Sequence, residues 1–154
     1  MGVARQWCGR QGKVDNCQSG VFAAYANRKG YTLLDRRLYL PEEWFDAAHR
    51  ERWHACGIPE ETPFTTTPAL ALEMLQAVVT AGTPGVRWVT CDEAFGRHAD
   101  VLDGIAALQR WYVAEVPHDI QVWLTRPATA VPAWSGRGRR PRKARLWPGE
   151  PAPQ

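Results

Sequence analysis

The sequence predicts a mixed α/β domain, and three segments carry that prediction. Strand-forming residues with a turn between them span residues 16–40, and an amphipathic helix pattern spans residues 69–81. A strand, a helix and a second strand then follow one another over residues 86–116. Strands that alternate with helices through short loops are typical of parallel βαβ units. We therefore expect a mixed sheet with flanking helices.

Length and composition agree with one globular domain. The chain has 154 residues, of which 45% are hydrophobic and 23% are charged, so wholesale disorder is not expected. No apolar run approaches the ~20 residues that a membrane span needs. The first ten residues, MGVARQWCGR, lack the apolar centre of a signal peptide. These features predict a cytoplasmic protein without a membrane partner.

The first predicted element is a β-hairpin. Asn16 to Ala26 is rich in strand-forming residues, Asn27 to Gly30 is a turn signal, and Tyr31 to Leu40 is a second strand. Residues 1–14 are polar and punctuated by glycine, and they show no periodicity that assigns them to an element.

Two helices are predicted next. Pro41 followed by two glutamates is a helix start, and the helix is expected to run through Trp44 and Trp53 to Gly57. A proline-broken loop covers residues 58–66. Thr67 and Pro68 then cap an amphipathic helix over residues 69–81.

The βαβ unit starts with the strand Val86 to Thr90, which leads to an acidic pair and a turn. A helix is predicted over Arg97 to Gln109 and a strand over Trp111 to Val116, with Gln121 to Leu124 as a further short strand.

Asp92, which directly follows the first strand of this unit, is the candidate metal ligand. Ligands gather at the carboxyl ends of strands in open α/β sheets, and a carboxylate there offers oxygen ligands to a hard cation. The alternative is that Asp92 is a helix cap or a solvated turn residue. The residues alone leave both interpretations open.

Composition changes from Arg126 onward. Half of the twelve prolines lie between Pro127 and the end of the chain, together with a basic run. We therefore predict a domain over residues 1–125 and an extended or disordered tail over residues 126–154.

The basic run is a candidate nucleic-acid-binding segment. Flexible cationic segments bind phosphate backbones through counterion release, and the flanking Trp134 and Trp147 could stack on exposed bases. The alternative is a solvated tail whose charge only aids solubility. The candidate contact residues are Arg137, Arg139, Arg140, Arg142, Lys143 and Arg145.

The four cysteines are expected to be free thiols in a cytosolic protein. No pair has the C-x2-C spacing of a zinc site. The alternative is a metal site that combines His49, His54 and Cys56 with Cys8 or Cys17. Buried small hydrophobes and surface histidines explain these residues more simply.

Three blocks of the sequence together resemble one family. GVARQWCGRQGKVDNCQSGVFAAYA, DRRLYLPEEW and WVTCDEAFGR are similar to the catalytic domain of bacterial insertion-sequence transposases of the DDE superfamily endonuclease type, from Gly2 to about Arg145. The resemblance implies a ribonuclease-H-like fold in which three acidic residues hold two divalent ions, usually Mg²⁺, at a DNA phosphodiester. It also implies transposon-end and target DNA as partners, with homo-oligomers in the full-length enzyme. Asp92 matches the second acid.

The resemblance also implies that two acids of the family pattern are missing. The first would precede the GVARQ block, on the first strand, and the third would follow the basic segment, on the last catalytic helix. We therefore expect an incomplete fold with open sheet edges, and a transposase fragment that is inactive alone. The alternative function is a small non-catalytic nucleic-acid-binding protein that uses the basic tail.

Overall fold

A computed structural model describes residues 1–83, 85–122 and 125–147. Backbone contacts divide the chain into two units, Met1–Val116 and Pro117–Gln154. The boundary predicted after Thr125 rested on composition, and it stays a prediction. Within the described ranges, no helix is both long enough and apolar enough to cross a bilayer.

The first unit begins with a hairpin within residues 1–17, most of which show no periodicity in the sequence. Strand β1 (Ala4–Cys8) pairs antiparallel with β2 (Lys13–Cys17), and the register joins Cys8 to Lys13. Gly12 closes the turn with a φ of 65°, a conformation that glycine adopts without steric cost. The backbone amide of Gly12 donates to the Cys8 carbonyl at 2.9 Å.

The predicted hairpin is confirmed, with a later start and a tighter turn. Strand β3 (Gly20–Asn27) pairs antiparallel with β4 (Gly30–Leu38), so only two residues connect the strands. A bulge between Ala23 and Ala24 shifts the register. The predicted start at Asn16 is wrong because Asn16 belongs to β2.

The single helix predicted over residues 41–57 is wrong. Two short 3-10 turns, Glu42–Phe45 and Ala47–His49, precede helix α1 (Arg50–Ala55), and Asp46 between them is extended. In a continuous helix, side chains nine positions apart point in opposite directions, at about 100° per residue.

The break in this segment allows two tryptophans to share one core. Trp44 and Trp53 are 5% and 1% exposed and pack in one cluster with Ile58. The indole nitrogen of Trp44 donates to the Val3 carbonyl at 3.0 Å, which ties the segment to the start of the chain. Burial of both indoles thus overrides the local helix signal.

The second predicted helix is confirmed as α2 (Thr67–Thr80). The hydroxyl of Thr66 accepts from the Ala69 amide at 3.4 Å, and Pro68 occupies the first turn, where a missing N–H costs no helical hydrogen bond. Met74 on the inner face is 1% exposed. Helix α2 packs against the second hairpin and against helix α4, which is described next.

The predicted βαβ unit is confirmed. Strand β5 (Trp88–Cys91) pairs in parallel with β6 (Trp111–Ala114), and the register joins Trp88 to Trp111. Two helices lie between them, α3 (Glu93–Gly96) and α4 (Ala99–Ala107). The helix predicted over Arg97 to Gln109 corresponds to α4, which begins two residues later and ends two residues earlier, and the short helix α3 before it was not predicted.

These strands make the first unit a mixed α/β structure, as predicted. In the described part of this unit the sheets are two-stranded, β1–β2, β3–β4 and β5–β6. A parallel pair is usually covered on both faces. Here Trp88 and Trp111 remain 60% and 69% exposed on one face.

The second unit has little regular structure where it is described. Strands β7 (Thr129–Ala130) and β8 (Arg145–Leu146) pair antiparallel, and the Trp147 amide donates to the Ala128 carbonyl at 2.8 Å. Gln121 and Val122 of the predicted short strand are irregular, and its last two residues lie outside the described ranges.

Candidate functional site

Asp92 lies directly after β5 and begins α3. Its carboxylate Oδ1 accepts from the Ala94 amide at 3.1 Å, and its own backbone is extended, as an N-cap requires. The helix-cap interpretation of Asp92 is therefore confirmed. The side chain is exposed, so a cap and a metal-binding role are compatible in geometry. The metal-ligand role stays a prediction.

Gly96 holds this turn against the neighbouring strand. The residue is buried, and a Cβ at this position would overlap the carbonyl oxygen of Glu115 and contact Ala114. Only glycine allows the end of α3 to approach the end of β6 so closely. The glycine of the DEAFG block is thus a packing requirement of the turn that carries Asp92.

A second carboxylate lies near Asp92 at the same edge of the parallel pair. Glu115 directly follows β6, and its amide donates to the Cys91 carbonyl at 3.0 Å. Burial raises the pKa of the Cys91 thiol, and the negative charges of Asp92 and Glu115 raise it further. Glu115 is not recognisable as a site residue from the sequence, because the strand predicted over Trp111 to Val116 places it inside the strand. No signal within the strand marks it, because its approach to Asp92 depends on the register of β5 with β6.

Glu93 does not join these two carboxylates as a strand residue. It is the first residue of α3 and is exposed. An acidic side chain in the first turn stabilises a helix through the positive end of its dipole.

A cleft of about 590 Å³ lies beside this edge, within the first unit. Its walls come from β3, α2 and β5, and Asp92 and Phe95 are part of the lining. Two of the lining residues, Met74 and Ile105, are 1% exposed, so the cleft has an apolar base.

The described residues do not by themselves fit a centre of two metal ions. They contain no group of three or more histidine, cysteine, aspartate or glutamate side chains that could hold a metal. Mg²⁺ needs near-octahedral oxygen coordination and is usually bound through carboxylates, waters and substrate phosphates together. Asp92 alone does not supply this.

The alternative metal site at the cysteines is not assembled either. His54 Nδ1 lies 3.3 Å from a carboxylate oxygen of Glu60, and the four cysteines are free thiols. Burial raises the pKa of the Cys17 thiol, and its hydrogen bond with Cys8 raises it further. Two neighbouring thiols are half of a zinc site at most.

The basic segment forms a loop in the second unit, closed at its base by β7 and β8. All six candidate contact residues are exposed, and none forms an ion pair within the described residues. The indole nitrogen of Trp134 donates to the Gly138 carbonyl at 3.2 Å, which bends the loop back on itself.

Residues 1–116 carry twelve basic and fourteen acidic side chains, whereas residues 117–154 carry seven basic and two acidic side chains. Positive charge is therefore concentrated in the second unit.

Comparison with known proteins gives one match. No curated protein and no solved structure matches the chain. The sequence profile of a family described as DDE superfamily endonuclease matches residues 1–154. That match agrees with a transposase-type endonuclease domain, as the resemblance of the three sequence blocks implies. The chain belongs to the DDE superfamily endonuclease family.

Proposed function

We propose that this chain takes part in cutting and joining DNA phosphodiesters during transposition, with Asp92 as a metal-ligating carboxylate. The observation that carries the proposal is the position of Asp92. It is an exposed carboxylate at the carboxyl end of a parallel strand, in a chain whose family acts as endonucleases. The family match favours this function over a non-catalytic nucleic-acid-binding protein.

The first unit is, in this proposal, part of a ribonuclease-H-like mixed sheet. An antiparallel hairpin, a helix and a parallel pair follow one another in the chain, and this order supports the assignment. If a complete centre held metal ions with Asp92 among the ligands, the ions would supply activation of a nucleophile and stabilisation of the leaving oxygen. Because the described carboxylates do not fit two ions, we expect the chain alone to have no Mg²⁺-dependent cleavage activity.

The variant Asp92→Asn tests the role of the charge without disturbing the turn. Asparagine caps a helix about as well as aspartate, so the bond to the Ala94 amide is kept and only the charge is lost. The matched control is Asp103→Asn, which removes an exposed charge from α4.

Metal binding can be measured apart from activity by paramagnetic broadening with Mn²⁺. We expect Mn²⁺ to broaden the amide signals of Ala94 and Phe95 in the native chain and in Asp103→Asn, and not in Asp92→Asn. Equal broadening in all three proteins would show that Asp92 is not a metal ligand.

Cleavage of supercoiled plasmid in Mg²⁺ tests the expected inactivity. We expect no nicking by the native chain or by Asp92→Asn. Nicking that depends on Mg²⁺ and is lost in Asp92→Asn would overturn the inactivity and support the role of Asp92. Nicking that survives Asp92→Asn would overturn both the expected inactivity of the chain and the metal-ligand role of Asp92.

The basic loop is proposed to hold DNA by its phosphates. Six exposed cations can replace at most six counterions, and each contact contributes about −0.9 to the slope of log K against log salt for duplex DNA. Affinity should then fall by up to roughly a thousandfold between 50 and 200 mM salt.

Matched triple variants locate this contact. Replacing three loop arginines by glutamine should reduce the salt slope by about 2.7, whereas replacing three exposed cations of the first unit should leave it unchanged. Fluorescence anisotropy with a labelled duplex measures both slopes. Equal slopes for the two variants would exclude the loop as the binding element. The loop variant changes Arg137, Arg139 and Arg140, and the control changes Arg10, Arg28 and Lys29.

A further inference from the structure

The short antiparallel pair of the second unit carries a cation and an aromatic ring on one face. Arg145 lies opposite Ala130 in the register of β8 with β7. The bond from the Trp147 amide to the Ala128 carbonyl, at 2.8 Å, continues this pairing by one residue. Side chains alternate between the two faces of an extended strand, so Arg145 and Trp147 share a face. Two residues of a strand rise about 6.6 Å, which separates the two side chains along the strand.

The indole of Trp147 is accessible on this face. Trp147 is 59% exposed, and Arg145 is exposed as well. The residues opposite them are both alanines, and a methyl group covers little of an indole or a guanidinium. The indole of Trp134, by contrast, is engaged within the loop, because its nitrogen donates to the Gly138 carbonyl. Trp147 is therefore the ring at the base of the loop that is placed to receive a ligand.

The charge around this ring favours an anionic partner. Residues 117–154 carry seven basic and two acidic side chains, and the basic loop connects β7 to β8. An exposed indole attracts flat apolar groups, and the surrounding cations attract negative charge. A nucleotide has both, because its base has a stacking face and is joined through a sugar to a phosphate. In a duplex the bases stack on one another, so an unpaired base is the form that presents its face to the ring.

We propose that the face formed by Arg145 and Trp147 binds single-stranded DNA, with an unpaired base stacked on the Trp147 indole and an adjacent phosphate on the Arg145 guanidinium. The inference rests on the proposed phosphate-binding role of the basic loop and adds the class of DNA that the loop prefers. Phosphate contacts hold DNA of any form, whereas a stacking ring favours strands with unpaired bases.

Two oligonucleotides of equal charge separate stacking from phosphate binding. One probe is a labelled strand of twelve thymidines, and the other is a labelled strand of twelve abasic sites, which has the same phosphates and no bases. Fluorescence anisotropy with the full chain measures both affinities. The thymidine strand should bind at least fivefold more tightly, because one base stacked on an aromatic ring contributes roughly five- to 150-fold.

Substitution of Trp147 tests whether this ring is the source of the preference. Trp147→Ala should reduce the preference for the thymidine strand to less than twofold, and its affinity for the abasic strand and for a duplex should stay within twofold of the native value. Trp147→Tyr keeps a stacking ring and should keep the preference, whereas Trp147→Leu keeps apolar bulk without a ring and should lose it. The matched control is Trp7→Ala, which removes an indole that is 63% exposed on β1 and should change nothing.

Salt dependence tests the phosphate contact separately. The indole has no charge, so Trp147→Ala should leave the slope of log K against log salt unchanged. Arg145→Gln should reduce this slope by about 0.7 for the thymidine strand, which is the contribution of one phosphate contact in single-stranded DNA.

The outcomes distinguish this inference from the proposed function of the loop. Equal affinity of the native chain for the two strands, with a steep salt dependence, would overturn the stacking and leave the phosphate contacts in place. A lack of salt-dependent binding to either strand would overturn both. An equal loss of affinity for the thymidine strand, the abasic strand and the duplex in Trp147→Ala would overturn the stacking, because the ring would then act by holding the loop in shape.

Discussion

The contact between Gly96 and β6 predicts that Gly96→Ala destabilises the protein. The added Cβ would overlap the backbone carbonyl of Glu115, which cannot move without disturbing the strand. Overpacking of this kind costs about 1–3 kcal/mol. For a unit of 116 residues, the entropy of unfolding is roughly 0.24 kcal/mol/K, so a loss of about 2 kcal/mol lowers Tm by about 8 °C.

Gly104→Ala is the matched control, because it also adds one methyl group to a helix. There the new Cβ would meet the side chain of Leu72, which can rotate away, and alanine gains up to about 1 kcal/mol in helix propensity. We expect its stability to change by less than about 0.5 kcal/mol. Urea denaturation followed by circular dichroism compares the two. Equal stability of both variants would refute the close approach of α3 to β6.

Three further predictions concern the core and two titrating groups. Trp53→Ala should lower the free energy of unfolding, measured by urea denaturation, by about 3–5 kcal/mol, because Trp53 is 1% exposed. A loss below about 1 kcal/mol would contradict the packed cluster. Asp92→Asn should lower the raised pKa of Cys91, so its alkylation by iodoacetamide at pH 8, followed by mass spectrometry, should speed up; an unchanged rate would exclude this coupling. The Lys13 hydrogen bond lowers the pKa of Asp15 below 3.8, so its stabilisation is present above pH 3.8 and is lost as pH falls through the folded value. Asp15→Asn should reduce the loss of unfolding free energy at acid pH, measured by denaturation at a series of pH values. An unchanged loss at acid pH would contradict the stabilising contact between Lys13 and Asp15.

The sequence predicts correctly those elements in which apolar residues recur at the regular spacing of a helix or lie in strand-forming runs between clear turns. Helix α2 has an apolar face and a Thr-Pro start, and the second hairpin and the βαβ unit have strand-forming residues on either side of clear turns. The β1–β2 hairpin is hard to recognise because polar residues interrupt its inner positions, although Ala4 there is buried and Cys8 and Cys17 are half-buried. Its half-buried residues include Gln6 and Asp15, so no hydrophobic alternation marks it.

The prediction of one helix from Pro41 to Gly57 is wrong for a different reason. Its composition favours a helix, and the proline and two glutamates are a good start signal. Trp44 and Trp53 lie nine positions apart, and only a break in the helix lets both join the buried cluster that contains Ile58. Tertiary burial of two indoles outweighs local propensity, and nothing within the segment indicates where its partner lies.

The candidate site was predictable only to the extent that it depends on one strand. Asp92 follows a recognisable strand, so both its cap geometry and its metal-ligand candidacy could be stated from the sequence. The approach of Glu115 depends on the register of β5 with β6, and the cleft depends on the placement of β3 beside β5. These are long-range relations. They depend on which strands become neighbours in the folded chain, and no pattern within a single strand indicates that.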